Sequence, residues 1–248
     1  MKTACLLSVD WDYFFPDYEA YRFVATEAPR KGEDIRVWTE VPWVSRSGLI
    51  KQGGTRPMFT VHRPTVPFMF WDRFCFSRGV KLYVAESHKD IISVMQHMAD
   101  KVDVLNVDAH HDIIYRRGQK DDCGNWVAAA HRQELLSSYS LVYPAWRKKT
   151  PEFNVVTESP KNLLVTTKGP AISLRRFMPS YALPDASMTF DAVFVCRSGA
   201  WTPSWSDDKF EELINQWRFG PVYYLDDYVK VKRPPPRKED AYDLIFQQ

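Results

Sequence analysis

The chain has little that would tie it to a membrane, a nucleic acid or an oxidising compartment. No apolar run approaches the length needed to span a bilayer. Lys2 is followed by a short apolar run that soon ends in acidic residues, so no signal peptide is expected. Cysteine is scarce. The four residues, Cys5, Cys75, Cys123 and Cys196, are scattered and lack the paired spacing of a structural zinc site. Cys5 and Cys196 sit in strand-like apolar runs, as buried thiols of a reducing compartment do. Net charge is nearly absent, at +2, which argues against a nucleic-acid binder driven by bulk electrostatics. No internal repeat and no linker divides the 248 residues. The expectation is one cytoplasmic domain, residues 1–248, with neither a membrane nor a nucleic-acid partner. A homo-oligomer stays open.

What the chain does have is aromatic residues and strands that end in charge. Its 9 Trp, 12 Tyr and 15 Phe include the segment Pro67–Phe76, expected to pack as a core helix or flap. Val102–Val107 is a short, β-branched apolar run that reads as a buried strand, and Asp108, His110, His111 and Asp112 follow at once. Ala4–Val9 is a second such run, ending in Asp10 and Asp12, which alternation along an extended chain would place on one side. A third, Val80–Ala85, leads into Glu86-Ser87-His88. So many ionisable groups at the edge of a core are costly unless something compensates them. Capping and hydrogen bonding offer one compensation; divalent cations offer another.

Between the strands, His88–Lys101 has the apolar stripe of an amphipathic helix. That makes 80–107 a βαβ unit with parallel strands, neighbours in the simplest arrangement. Further helices are expected at Val127–Ser138 and at Asp207–Trp217, capped by Ser206. Further strands are expected at Ile35–Thr39, Met58–His62, Leu163–Thr166, Ala192–Cys196 and Pro221–Leu225. Lys230–Glu239 reads as a stiff basic tail outside the core. The fold class is therefore α/β, with a mainly parallel sheet whose carboxyl edge gathers the site. Four carboxylates and two imidazoles, without thiolate, suit manganese, or iron as a stand-in, better than structural zinc. Two such ions about 3.5–4 Å apart acidify water for attack on a carbon centre. That makes a binuclear hydrolase.

Asp108-Ala-His-His-Asp112 resembles the Asp-Ala-His-x-Asp signature of arginases and agmatinases, and Ser8-Val-Asp-Trp-Asp12 resembles their Ser-x-Asp-x-Asp signature. His88 is similar in placement to the histidine that precedes the first signature. The resemblance implies a three-layer αβα fold of the arginase and deacetylase kind, and two Mn2+ ions with Fe2+ or Co2+ as substitutes. His88, Asp108, Asp112 and Asp10 would hold one ion. His110, Asp108, Asp10 and Asp12 would hold the other, with Asp108 and Asp10 bridging. Gly124-Asn125 resembles part of the Ser-Gly-Asn substrate loop, with Cys123 in the place of the serine.

The departures narrow the resemblance. The Asp-x-Asp signature comes first here, as in a circular permutation, and Trp126 stands where the loop's histidine is expected. Glu86-Ser-His88, Asp12-Tyr-Phe and Cys123-Gly-Asn-Trp126 look closest to the peptide arginases, which convert arginine side chains of ribosomal peptides to ornithine. The resemblance rests on short motifs and does not extend to residues 20–60 and 140–190. The resemblance implies an arginine-containing precursor peptide as partner and substrate. Asn125 and Trp126 would bind it, Glu86 (with Glu40 in reserve) would hold the guanidinium, and His111 would transfer the proton. Trp11, Trp126 and Trp201 would wall the arginine slot, and the basic Arg116-Arg117 and the tail near Arg233 would attract an acidic leader. The alternatives are an arginase or agmatinase acting on a free guanidino compound, a zinc-type deacetylase, and a non-catalytic metal-binding module. Deacetylases of this fold usually have glycine where this chain has Asp112, and they hold a single zinc.

Overall fold

The computed structural model describes residues 3–15, 64, 66–98, 101–113, 121–144, 188–199, 202, 206–230 and 232–233, and the backbone of 174–179. The expected strands at 35–39, 58–62 and 163–166 lie outside the described residues, as do Glu40, Arg116, Arg117 and Trp201.

Seven strands form one sheet. They are β1 (Ala4–Asp10), β2 (Cys75–Ala85), β3 (Val102–Val107), β4 (Leu136–Tyr143), β5 (Leu174–Pro179), β6 (Thr189–Cys196) and β7 (Val222–Tyr224). Their order is β5-β4-β3-β1-β6-β2-β7, and every pairing is parallel. The helices are α1 (Ile91–Gln96), α2 (Trp126–Arg132) and α3 (Asp207–Asn215). Successive strand side chains point to opposite faces. Leu7, Val9, Val107 and Val195 therefore pack with Phe210, Leu213 and Ile214 of α3. Leu6, Val104 and Phe194 pack with Ile91 and Met95 of α1 and Val127 and Ala130 of α2. Helices thus cover both faces, and the result is three αβα layers. A sheet covered twice needs strands that are apolar almost throughout, which is why β1 and β3 read as continuous runs rather than alternations.

Several boundaries differ from the sequence reading, each for a local reason. β2 and β3 are parallel but not neighbours, because β1 and β6 lie between them. The helix expected over 88–101 is a 3₁₀ turn at His88–Asp90 followed by the short α1. The helix expected over 127–138 stops at Arg132. Glu134 adopts a left-handed φ of 59°, Leu135 N–H donates to Ala130 O, and Glu134 N–H donates to His131 O. That is a Schellman stop with glutamate where glycine is usual, so its signal is weak in sequence. The residues beyond it begin β4, a strand the periodicity does not reveal. In Pro67–Phe76, Phe70 and Trp71 are fully buried in the core, over a 3₁₀ turn.

Register sets the site. Asp10 lies beside Cys196, and Cys196 lies beside Ala85 on its other side. Val9 lies beside Val107, so Asp108 follows at the same level. β3, β1, β6 and β2 are consecutive across the sheet and deliver their carboxyl ends to one edge.

Candidate metal centre

After Asp10 the chain leaves the extended conformation and turns into a 3₁₀ segment, Trp11–Phe14. Asp10 Oδ1 accepts the Asp12 N–H at 3.0 Å, which folds Asp12 back over the strand end. The turn brings both carboxylates to the site, not alternation along a strand. Ala109 N–H donates to Asp12 Oδ1 at 3.2 Å, and His110 N–H to Asp108 Oδ1 at 2.6 Å, fixing the loop beyond β3. Asp112 completes that loop with a left-handed φ of 51°, and its carbonyl accepts the Val127 N–H that starts α2. Asp tolerates this conformation better than most residues, but it is a local strain of the kind that collects at functional sites.

His88 stands at the centre. Its Nδ1 lies 3.1 Å from Asp10 Oδ2, 3.1 Å from Asp108 Oδ2 and 3.2 Å from Asp112 Oδ2. None of the three oxygens satisfies the direction of a hydrogen bond from that nitrogen, although His88 is only 1 % exposed. Its Nε2 is 2.8 Å from Ser8 Oγ. A ring that donates from Nε2 presents a lone pair at Nδ1, aimed into a pocket of carboxylate oxygens. That arrangement fits a cation.

No family model matches the chain, and no curated protein or solved structure matches it.

The second imidazole sits one step away. His110 Nδ1 is 2.7 Å from Asp12 Oδ2 and 3.8 Å from Asp108 Oδ1. The donors fall into groups compact enough for an ion: His88 with Asp108 and Asp112, Asp12 with Asp108 and His110, and Asp10 with His88 and Cys196. Asp108 and His88 each belong to two of them, and Asp108, with two carboxylate oxygens, is the one that could bridge. All six residues named as ligands from the sequence are therefore brought together, and these buried groups can hold metal ions.

Electrostatics point the same way. Burial, then the charges of Asp10 and Asp108, push the Asp12 carboxyl well above its usual range. Burial, then the neighbouring Asp112 and Asp10, raise Asp108 to about 6. Burial pulls His88 down, but the charge of Cys196 and contacts with Asp10, Asp108 and Asp112 carry it well above the usual histidine value. Burial also opposes ionisation of Asp10, yet the nearby His88 ring and the bond from Ser198 leave that group below its usual value. Without a cation, the cluster retains protons to limit its own repulsion.

An outer layer holds the donors in place. Trp126 Nε1–H donates to Asp112 Oδ2 at 2.7 Å, and its ring lies 5.0 Å from that of His88. Asn106 donates to Asp108 Oδ2 at 3.0 Å and to Tyr139 OH at 3.1 Å, while Tyr139 OH donates to the His111 carbonyl. Such outer contacts orient ligands and tune their basicity.

The other named residues are placed less simply. Glu86 is buried, and its Oε2 accepts from Arg197 Nε at 2.7 Å, so it already neutralises a guanidinium of this chain. His111 is buried with Nδ1 accepting the Ile113 N–H, outside the three donor groups. Asn125 is buried, with Oδ1 accepting the Asp122 N–H, which shapes the turn before α2. Trp126 and Trp11 are both fully buried, Trp11 against Phe14, Phe15 and Phe210. Arg233, expected in an exposed tail, is buried against Asp207. An acidic leader would not reach it there.

Cys196 and Ser198 escaped the sequence reading. Ser198 Oγ donates to Asp10 Oδ2 at 2.5 Å, from a backbone with a left-handed φ of 49°. For Ser198 a signal was available: β6 is one more apolar strand followed at once by polar residues.

Proposed function

We propose that this chain is a binuclear metal hydrolase that cleaves the guanidinium of arginine side chains within a peptide, giving ornithine and urea. The observation that carries the reading is the meeting of the Asp and His donors at one sheet edge: two groups share Asp108 and take in His88, Asp112, Asp12 and His110, and Asp10 joins through His88. Two divalent ions, manganese by the donor chemistry, would be held by His88, Asp108, Asp112 and Asp10 and by His110, Asp108, Asp10 and Asp12. Bound there, the pair supplies Lewis acidity and lowers the pKa of water within its reach.

The chain's own residues supply the rest. Ser8, Trp126 and Asn106 fix the directions of His88, Asp112 and Asp108, so the donors need not reorganise during the reaction. Burial of Asp10, Asp12 and Asp108 keeps bulk water from weakening their charges. His111 accepts the Ile113 N–H at Nδ1, so Nε2 is the nitrogen through which this ring would pass a proton to the leaving amine. Glu86 is bound to Arg197, and its part is to hold the strand end that carries His88. Glu40 is then the remaining carboxylate named for the substrate guanidinium.

Support for a peptide substrate comes from Cys123-Gly-Asn-Trp126. Asn125 and Trp126 turn inward, so the loop offers few side-chain groups to pin a free amino acid's charged ends. Leaving such ends unpaired costs a substrate several kcal/mol, which favours arginine within a chain.

The test is incubation of manganese-loaded protein with arginine-containing peptides and with free arginine, following urea and peptide mass. Expected are urea and a peptide lighter by CN2H2, with much slower turnover of the free amino acid. Full activity in a metal-free preparation would end the proposal. Equal kcat/KM for free arginine would move the chain to the ordinary arginases or agmatinases.

A further inference from the structure

Cys196 ends β6 in register with Asp10, its Sγ is 3.2 Å from Asp10 Oδ2, and the residue is fully buried. Its sulfur, a nitrogen of His88 and an oxygen of Asp10 all lie within 4.8 Å of one another. A buried thiol alone is an ordinary core residue. The independent observation is His88 Nδ1, buried and without a hydrogen-bond partner, aimed at Asp10 in this same pocket.

We propose that Cys196 is a metal ligand, its thiolate joining His88 and Asp10 so that this half of the centre takes a borderline-soft ion such as zinc, cobalt(II) or iron(II). The other half, Asp12, Asp108 and His110, offers only oxygen and imidazole and keeps a harder ion such as manganese. Softness of the donor is the reason for the split. Thiolate selects softer ions, whereas carboxylate suits harder ones. The step balances simply: the thiol gives its proton to solvent as the sulfur–metal bond forms, so each ion bound at this half releases one proton from Cys196. The inference rests on the metal centre proposed above and changes its composition, from two like ions to an unlike pair.

The test is titration of the metal-free chain with cobalt(II), reading metal content per chain and the near-ultraviolet sulfur-to-cobalt charge-transfer band. The band is expected with cobalt bound, lost in Cys196→Ser and Cys196→Ala, and retained in Cys75→Ser, which lies at the far end of β2 beside Thr189. Cobalt bound without the band, or a band that survives Cys196→Ser, overturns the Cys196 assignment and leaves the metal centre standing. No cobalt bound at all overturns both. X-ray absorption of the zinc-loaded wild-type chain reads the same point without any variant. One sulfur neighbour is expected, and none refutes it.

Discussion

Glu86 and His88 are two residues apart, yet they belong to buried ionic clusters that settle their charge in different ways. Around Glu86 the balance is internal. Arg197 lies 2.6 Å from Glu86 Oε2 and 3.3 Å from Asp207, and Arg233 lies 2.6 Å from Asp207, so two guanidinium groups meet two carboxylates. Gly199 lets them approach, since a Cβ there would run into the Glu86 carboxylate and Arg233. Around His88 there is no such closure. Asp10, Asp12, Asp108 and Asp112 face only two imidazoles, and the protons retained by Asp12 and Asp108 are a poor substitute for cations. Equal burial on one edge of one sheet therefore serves two ends. The first cluster is an internally paired clamp between β2, β6, α3 and the segment ending at Arg233; the second is one that cations could complete.

The sharpest way to break this contrast is to remove the shared donor. Asp108→Ala should lower metal content below one ion per chain and abolish urea release, because that carboxylate belongs to both ion groups. Two ions retained by the variant would dissolve the bridging assignment. The counterpart on the other cluster is Arg197→Ala, which strands Glu86 and Asp207 in the interior. Loss of one partner of a buried pair costs about 3–5 kcal/mol. Denaturant unfolding should show that loss to the same extent with and without a chelator. A penalty that changes on chelation would mean the clusters are one unit.

How much of this was legible beforehand differs between the clusters. The metal donors follow directly on apolar strands, so the signals for Asp10, His88 and Asp108 were local, and parallel topology did the rest. The clamp was hidden because its members come from distant segments. Arg233 sits in a run of lysine, arginine and proline that reads as a solvated tail, and nothing local says that Asp207 waits for it. Cys196 was missed for the opposite reason. It ends an apolar strand, where a thiol passes for core. The neighbours that change its meaning, Asp10 and Ala85, arrive only through sheet register. Helix α2 ended early at a glutamate, and strand β4 was lost with that misplaced boundary.

Acidity gives the next test of the metal cluster. In the metal-free chain Asp108 is raised to about 6 from an ordinary 3.8, and Asp12 and His88 are also raised. A raised folded-state value gives stability that is complete below the unfolded value and lost as pH climbs through the folded one. The metal-free protein should therefore lose stability as pH rises from about 4 through 6 with ionisation of Asp108, and further above 6.5 as His88 gives up its proton. Asp10 is shifted the other way, so its contribution fades only below the carboxylate range, outside this window. Metal removes the repulsion that develops on deprotonation. The rise in Tm on adding manganese should consequently be larger at pH 7.5 than at pH 5.5. An increment independent of pH would mean that the ions do not bind at these carboxylates.

The smallest expected effect is the most specific. Trp126→Phe keeps an aromatic ring near His88 and Tyr139 but removes the indole N–H that donates to Asp112 at 2.7 Å. Nothing in the Arg197 clamp touches Trp126 among the described contacts, so that cluster serves as an internal control. Outer-layer partners of metal ligands are worth roughly 10–100-fold in affinity. Because only one of several donors loses its anchor, the low end applies, and metal affinity should fall by about tenfold. Competition with a chelating dye measures it, and Ser8→Ala, which removes the partner of His88 Nε2, gives a second reading of the same kind. The chelated variants, tested by denaturant unfolding, should lose far less stability than Arg197→Ala. Undiminished affinity in Trp126→Phe would show that Asp112 is held by packing alone, and would take it out of the ligand set.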